Sequence, residues 1–247
     1  MRILAFDTAT RATTVALLDT DDGLELGLRD DPDPGSRPRH TACLMPLIRE
    51  TLAQAGWGWA DVDLLAVGTG PGTFTGLRIG VATARALARA RGIPLVGVST
   101  LQSLALGAHD IAVADGHDVV MAVLDARRRE VFAAAWPVAA GEEWPERADA
   151  EQGAPVLAPA ALAPAALAAA APGLGQSRLA VGDGAIEFRE VLERPGTLIP
   201  ADDSGFHRVE ALLHCRLAAE RRPSGTEDVT PEYLRRPDAE LNLRAPK

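Results

Sequence analysis

Asp7 and Asp125 each close a short apolar run, and each is followed by a turn and a second apolar run. A carboxylate at the end of a buried strand can do two things. It can approach a metal-bound phosphate, or it can accept hydrogen bonds from the amides of its own turn, as short polar side chains do. The spacing leaves both open. A third feature is Gly68-Thr69-Gly70-Pro71-Gly72, set between the apolar run Leu64-Leu65-Ala66-Val67 and a helix rich in small residues. Such glycine turns let backbone approach a phosphate or another chain closely.

The turn fits neither common nucleotide signature. A Walker loop places four residues between its first glycine and Gly-Lys-Ser/Thr, whereas Gly70 reaches Gly76 after five and Leu77-Arg78 follow. In the dinucleotide fingerprint the third glycine would come one position earlier than Gly76. Gly97-Val98-Ser99-Thr100-Leu101 lacks the last glycine of a nucleophile elbow. His40, His109, His117, His207 and His214 form no HExxH and no i,i+4 pair, so no metal site is expected. His207 and His214 read as solvated or helix-capping positions. Cys43 and Cys215 lie outside any CxxC spacing and read as buried thiols in a reducing compartment. No residue is assigned a catalytic role.

The elements that position these residues are legible from periodicity. Arg2–Asp7 and Thr13–Leu18 suit a hairpin, with Gly23–Leu28 as a third strand. A charged, proline-broken loop covers residues 30–39. A helix is expected over Thr41–Ala55, with Leu44, Ile48 and Leu52 on one face and Pro46 tolerated near its start. The run at 64–67, a helix over Phe74–Arg91 and a strand over Ile93–Val98 make a parallel βαβ unit. On that helix Leu77, Gly80, Val81, Ala84, Leu87 and Ala88 form an apolar, largely small stripe, while Arg78, Arg85 and Arg89 share another face. A small stripe lets a neighbouring helix approach closely.

A short helix over Leu101–Gly107 ends the first half. The second restarts with strands at Val119–Asp125 and Glu130–Trp136, repeating the opening pattern of strand, aspartate, turn and antiparallel strand. The Ala/Pro-rich stretch 154–173 reads as short helices in an insertion, and Leu179–Gly184 as a strand entering a glycine turn. Phe206–Arg222 reads as an amphipathic helix through Val209, Leu212, Leu213 and Leu217, and Thr230–Pro237 as an extended tether. Two lobes are expected, over 1–107 and 108–247.

With 247 residues and 47% hydrophobic content the chain can bury a full core. Its net charge of −9 argues against direct, strong nucleic-acid binding. The N-terminus enters a strand interrupted by Asp7, which is not a signal-peptide pattern, and no run approaches the roughly 20 apolar residues of a membrane span. A cytoplasmic protein without membrane contact is expected.

MRILAFDTAT at the start, His40-Thr41, and GTGPGTFTGLRIGVATARALA over Gly68–Ala88 with Pro94–Leu101 resemble the TsaB (YeaZ) family. So do Asp125-Ala126-Arg127 with Glu130-Val131-Phe132, and Pro231-x-Tyr233-Leu234-Arg235. The resemblance spans nearly the whole chain. It implies an α/β actin-like ATPase (ASKHA) fold of two lobes, each a mixed sheet flanked by helices. It also implies a non-catalytic dimerisation subunit for threonylcarbamoylation of the tRNA adenosine beside the anticodon. The partners implied are the catalytic paralogue TsaD and the ATPase TsaE, with tRNA met only through the complex. In isolation a homodimer is conceivable, since a paralogue interface can self-pair. No cofactor is implied for this chain, ATP or ADP being held by the partners at the complex interface.

In the actin-like superfamily an aspartate placed as Asp7 approaches the nucleotide, so Asp7, Gly70 and Gly72 are expected to be a vestigial phosphate site. Where TsaD carries a metal-binding His-x-x-x-His, this chain has Thr100 and Leu104, which cannot replace two imidazoles. The partner interface is expected on the two helices, through His40, Leu44, Ile48, Leu77, Gly80, Val81, Ala84 and Ala88. The alternative reading is an autonomous ATP-dependent phosphotransferase using Asp7; a metalloprotease, an older label for the family, lacks its ligands. Residues 30–39 and 154–173 match no family motif.

Overall fold

The computed structural model describes residues 1–33, 35–138, 144 and 154–235. Strands β1 (Arg2–Asp7) and β2 (Thr13–Asp19) form an antiparallel hairpin in which Ile3 faces Leu18 and Phe6 faces Val15. β3 (Glu25–Asp30) adds to β2, while β4 (Leu64–Gly70) and β5 (Leu95–Ser99) extend the sheet in parallel from the other side of β1. The order is β3-β2-β1-β4-β5. The second sheet, β10-β9-β6-β7-β8, is built from β6 (Val119–Arg127), β7 (Glu130–Pro137), β8 (Leu157–Leu162), β9 (Arg178–Val181) and β10 (Thr197–Leu198). Its hairpin, outer antiparallel strand and two parallel strands repeat the first sheet one for one. This duplicated α/β arrangement is the actin-like fold.

Strand periodicity sends alternate residues of the first sheet into two cores. Leu4, Phe6, Val15, Leu17, Leu65 and Val67 pack beneath α1 (His40–Ala55) and α2 (Phe74–Arg91). Ile3, Ala5, Ala16, Leu64 and Ala66 face inward, joining Val120, Ala122, Leu124 and Ala134 of the second sheet. The Thr73 hydroxyl caps α2 by accepting from the Gly76 N–H, and Gly92 ends it in a left-handed conformation at φ 68°. The outer face of the second sheet is covered by α5 (Pro164–Ala170), α6 (Asp183–Glu187) and α7 (Arg189–Leu192).

Between the sheets lie α3 (Thr100–Gly107), which runs on into α4 (His109–Ala114), and α8 (Ala211–Ala219). α3 comes from the first half yet packs on β6 and β7, whereas α8 comes from the second half and packs on β1 and β2. The halves therefore exchange helices and share one core. The expected division at 107/108 marks the start of the repeat, not the edge of an independent unit.

Two sequence expectations are corrected. The stretch 154–173 contains a strand ahead of its short helix: β8 (Leu157–Leu162) is an edge strand, and Pro159 is tolerated because it sits at a break in the register between Leu157 and Ala160. Its alanine content conceals it, alanine being a helix former with little strand preference. The expected helix over Phe206–Arg222 is shorter. Gly205–His207 is a 3-10 turn capped by Ser204, and the α-helix begins only at Ala211. His207 is drawn inward there, where its Nδ1 accepts from the Gly182 N–H at 3.1 Å.

Candidate functional site

Asp7 ends β1 with its carboxylate turned into the core, and the residue is 0% exposed. It accepts hydrogen bonds from the Ala9 N–H at 2.5 Å, the Thr100 hydroxyl at 2.7 Å and His214 Nε2 at 3.0 Å. Burial alone would push the Asp7 carboxyl up. The His214 contact, with Thr100 and the Ala9 amide, outweighs it and holds the carboxyl below the usual carboxylate range. On its far side His214 Nδ1 lies 2.9 Å from Ser103 Oγ and 3.2 Å from the Glu210 carbonyl.

Ser103, His214 and Asp7 thus stand in the order of a hydrolytic triad. All three are 0% exposed, so no substrate can reach Ser103 Oγ. The chain of contacts instead ties β1, α3 and α8 together at the centre of the shared core. One expectation changes here: His214 is neither solvated nor capping. The carboxylate oxygens of Asp7, expected at a phosphate site, are engaged internally.

The glycines let this chain's own segments approach closely. A Cβ on Gly68 would fall on the Asp7 carboxylate, one on Gly72 would meet Ala9, and one on Gly76 would meet the Thr8 carbonyl. Gly80 in turn makes room for the Thr8 side chain, whose hydroxyl donates to the Gly76 carbonyl at 2.7 Å. Gly70, at φ 107°, lies under the Glu232 carbonyl and the Leu77 methyls. Its left-handed backbone is open to glycine and strained for other residues.

All eight residues expected at a partner interface are buried within the chain: His40, Leu44, Ile48, Leu77, Gly80, Val81, Ala84 and Ala88. The apolar stripes face their own sheet, and His40 Nδ1 is bonded to Thr13 Oγ1 at 2.8 Å. Burial pushes the His40 imidazole below its ordinary value. Outward on the same helices stand Met45, Ala82 and Ala86. The arginine face of α2 is occupied by the C-terminal tail, since Arg85 and Arg89 both pair with Glu227. Arg78 lies 3.8 Å over the Phe74 ring and donates to the Tyr233 hydroxyl.

Asp125, the counterpart of Asp7, caps its own turn. Its Oδ1 accepts from the Arg127 N–H at 2.8 Å and its Oδ2 pairs with the Arg127 guanidinium at 2.9 Å. Arg127, Arg128 and Arg129 are all left-handed, at φ 63°, 56° and 62°. Asp183, a partner not identified from the sequence, accepts from the Asp125 N–H at 2.9 Å, and burial pushes its carboxyl up. The only signal for it was a strand running into Gly182-Asp183-Gly184. A cleft of about 480 Å³ opens beside this turn, walled by Glu187, Phe188 and Val191. Among the described residues no three His, Cys, Asp or Glu side chains converge to hold a metal ion.

The sequence model described as TsaD, tRNA N6-adenosine threonylcarbamoyltransferase, matches residues 35–193. The tRNA threonylcarbamoyladenosine biosynthesis protein TsaB of Escherichia coli K12 is 32% identical over 242 residues, which cover 95% of each chain. The chain belongs to the TsaB (YeaZ) family. Among solved structures, YeaZ from Pseudomonas aeruginosa is 30% identical with a TM-score of 0.70, covering 94% of this chain and 99% of that one. A second structure from the same organism, described as an uncharacterized protein with similarity to peptidase YEAZ, reaches a TM-score of 0.73 at 30% identity and covers 95% and 99%. Within the TsaB-family fold, Thr100 and Leu104 serve packing. Thr100 donates to Asp7, and Leu104 is fully buried.

Proposed function

We propose that this chain is a non-catalytic subunit in the synthesis of threonylcarbamoyladenosine on tRNA, acting by binding a TsaD paralogue and supporting a TsaE ATPase in the cytoplasm. The observation that carries the reading is Asp7. The carboxylate that would face a nucleotide in an active actin-like enzyme is 0% exposed and held by three internal hydrogen bonds. Two further features agree with it. The glycine turn is packed against Ala9 and Glu232, and the Escherichia coli relative is described as a protein of the same biosynthesis. In this reading any ATP or ADP is held by the partners, and tRNA is met through the complex, as the net charge of −9 favours.

The test is reconstitution with the cognate TsaD and TsaE, with and without this chain. Modification is expected only with it; full modification in its absence overturns the proposal. Tight Mg-ATP binding by the isolated chain, abolished in Asp7→Asn, would favour the phosphotransferase alternative instead.

The partner surface then lies on the outward faces of α1 and α2. Ala86→Glu and Met45→Glu are expected to leave stability within about 0.5 kcal/mol of wild type, as exposed substitutions do. They should weaken capture of TsaD at least about tenfold, measured by calorimetric titration of the folded variants (1.4 kcal/mol per decade). Unchanged affinity in both would move the interface off these helices. Ala84→Glu cannot serve as this test. Ala84 is 0% exposed, and an unpaired carboxylate there is expected to unfold the chain, seen as loss of the cooperative thermal transition.

A further inference from the structure

Residues 224–235 run as an irregular strap from the edge of the first sheet to the hairpin turn of the second. The Ser224 N–H bonds to the Leu95 carbonyl of edge strand β5 at 3.3 Å, Glu227 pairs with Arg85 and Arg89, and Val229 is buried in the core beneath α2. The Glu232 N–H then bonds to the Thr69 carbonyl at 2.7 Å, and the Glu232 carbonyl covers Gly70. Tyr233 stacks on Phe74 at 5.2 Å, Leu234 packs on the core between the sheets, and Arg235 donates to Glu130 at 2.8 Å and to the Arg127 carbonyl. Four residues, Glu232 to Arg235, therefore join the glycine turn of one half to the β6–β7 turn of the other.

The two ends of the strap are held differently. Val229 is 4% exposed and locked by burial, whereas Tyr233 is 42% exposed and the Arg235–Glu130 pair is partly solvated. Within Glu232–Arg235 Leu234 alone reaches the inter-sheet core, and it is itself only partly buried. Exposed ion pairs contribute little, and a segment with few buried apolar contacts opens at low free energy. We propose that Glu232–Arg235 is a latch that opens locally, without unfolding, and by opening uncovers the glycine turn and frees it from the β6–β7 turn. Val229 is the fixed end from which it swings. Burial pushes the Glu232 carboxyl up, so the ionised side chain loosens the closed latch at neutral pH.

The test is amide hydrogen exchange on the full chain. In Tyr233→Ala/Arg235→Ala, exchange in residues 68–77 and 125–131 is expected to rise about tenfold, with β1 and α8 unchanged. In Glu232→Gln, exchange at the same two turns is expected to slow. Unchanged exchange at both turns in the double variant overturns the latch. A uniform rise through β1 and α8 also overturns it, because the strap would then open only with the whole fold.

Discussion

His214→Ala is expected to destabilise the protein by about 3–5 kcal/mol, because it leaves a buried carboxylate without its strongest partner. At this chain length that is a fall in Tm on the order of 10 °C, readable by calorimetry. The imidazole contacts Asp7 on one side and Ser103 on the other, so its loss also leaves the buried Ser103 hydroxyl with only the Glu210 carbonyl, at 3.4 Å, as partner. Helices α3 and α8 meet β1 at this point, and the damage should spread to both halves. A Tm within 2 °C of wild type, by an order-of-magnitude margin, would show that the Asp7–His214 contact contributes nothing net.

The same pair sets an acid limit. The fold holds the Asp7 carboxyl below its ordinary value, so the ionised form favours the native state. Its contribution is complete above the unfolded value of about 4 and is lost as the pH falls through the lower folded value. Asp7→Asn removes that titration. The stability gap between wild type and Asp7→Asn is expected to be constant from neutral pH down to about pH 5 and to narrow below about pH 4, followed by denaturant midpoints. A gap that widens on acidification would reverse the sign of the argument.

Gly76→Ala is expected to cost about 3 kcal/mol or more, although alanine is the better helix former by about 1 kcal/mol. Its methyl group would overlap the Thr8 carbonyl, which is backbone and cannot rotate away. Relief requires lifting α2 from the β1–β2 turn, and with it the packing of Val81 and Ala84 on the sheet. Gly173→Ala is the control, since a Cβ there meets nothing within 4 Å, and it is expected to be neutral within about 0.5 kcal/mol. Equal stabilities of the two variants by chemical denaturation would remove close approach as the reason for Gly76.

Sequence periodicity carried most of the strands and helices, while the actin-like fold followed from the family resemblance. Alternation in β1 and β2, the βαβ unit around α2 and the repeated aspartate-ended hairpin depend on residues near one another in the chain, where the strand and helix periods act directly. The family motifs likewise lie in contiguous runs. What local pattern could not tell was the direction in which each face points. The stripe Gly80, Ala84, Ala88 has the spacing and size of a helix-docking face, and only the placement of α2 over β1 and β4 turned it inward. The Ala/Pro stretch became strand because β7 offered an edge for β8 to pair with. Most of all, Asp7, Thr100, Ser103 and His214 are separated by up to 207 residues in contact order along the chain, and nothing local joins them. Their meeting follows from the exchange of α3 and α8 between the halves. A carboxylate placed like one that would meet a nucleotide is made structural by a helix arriving from the other end of the chain, because burial requires that charge to be partnered.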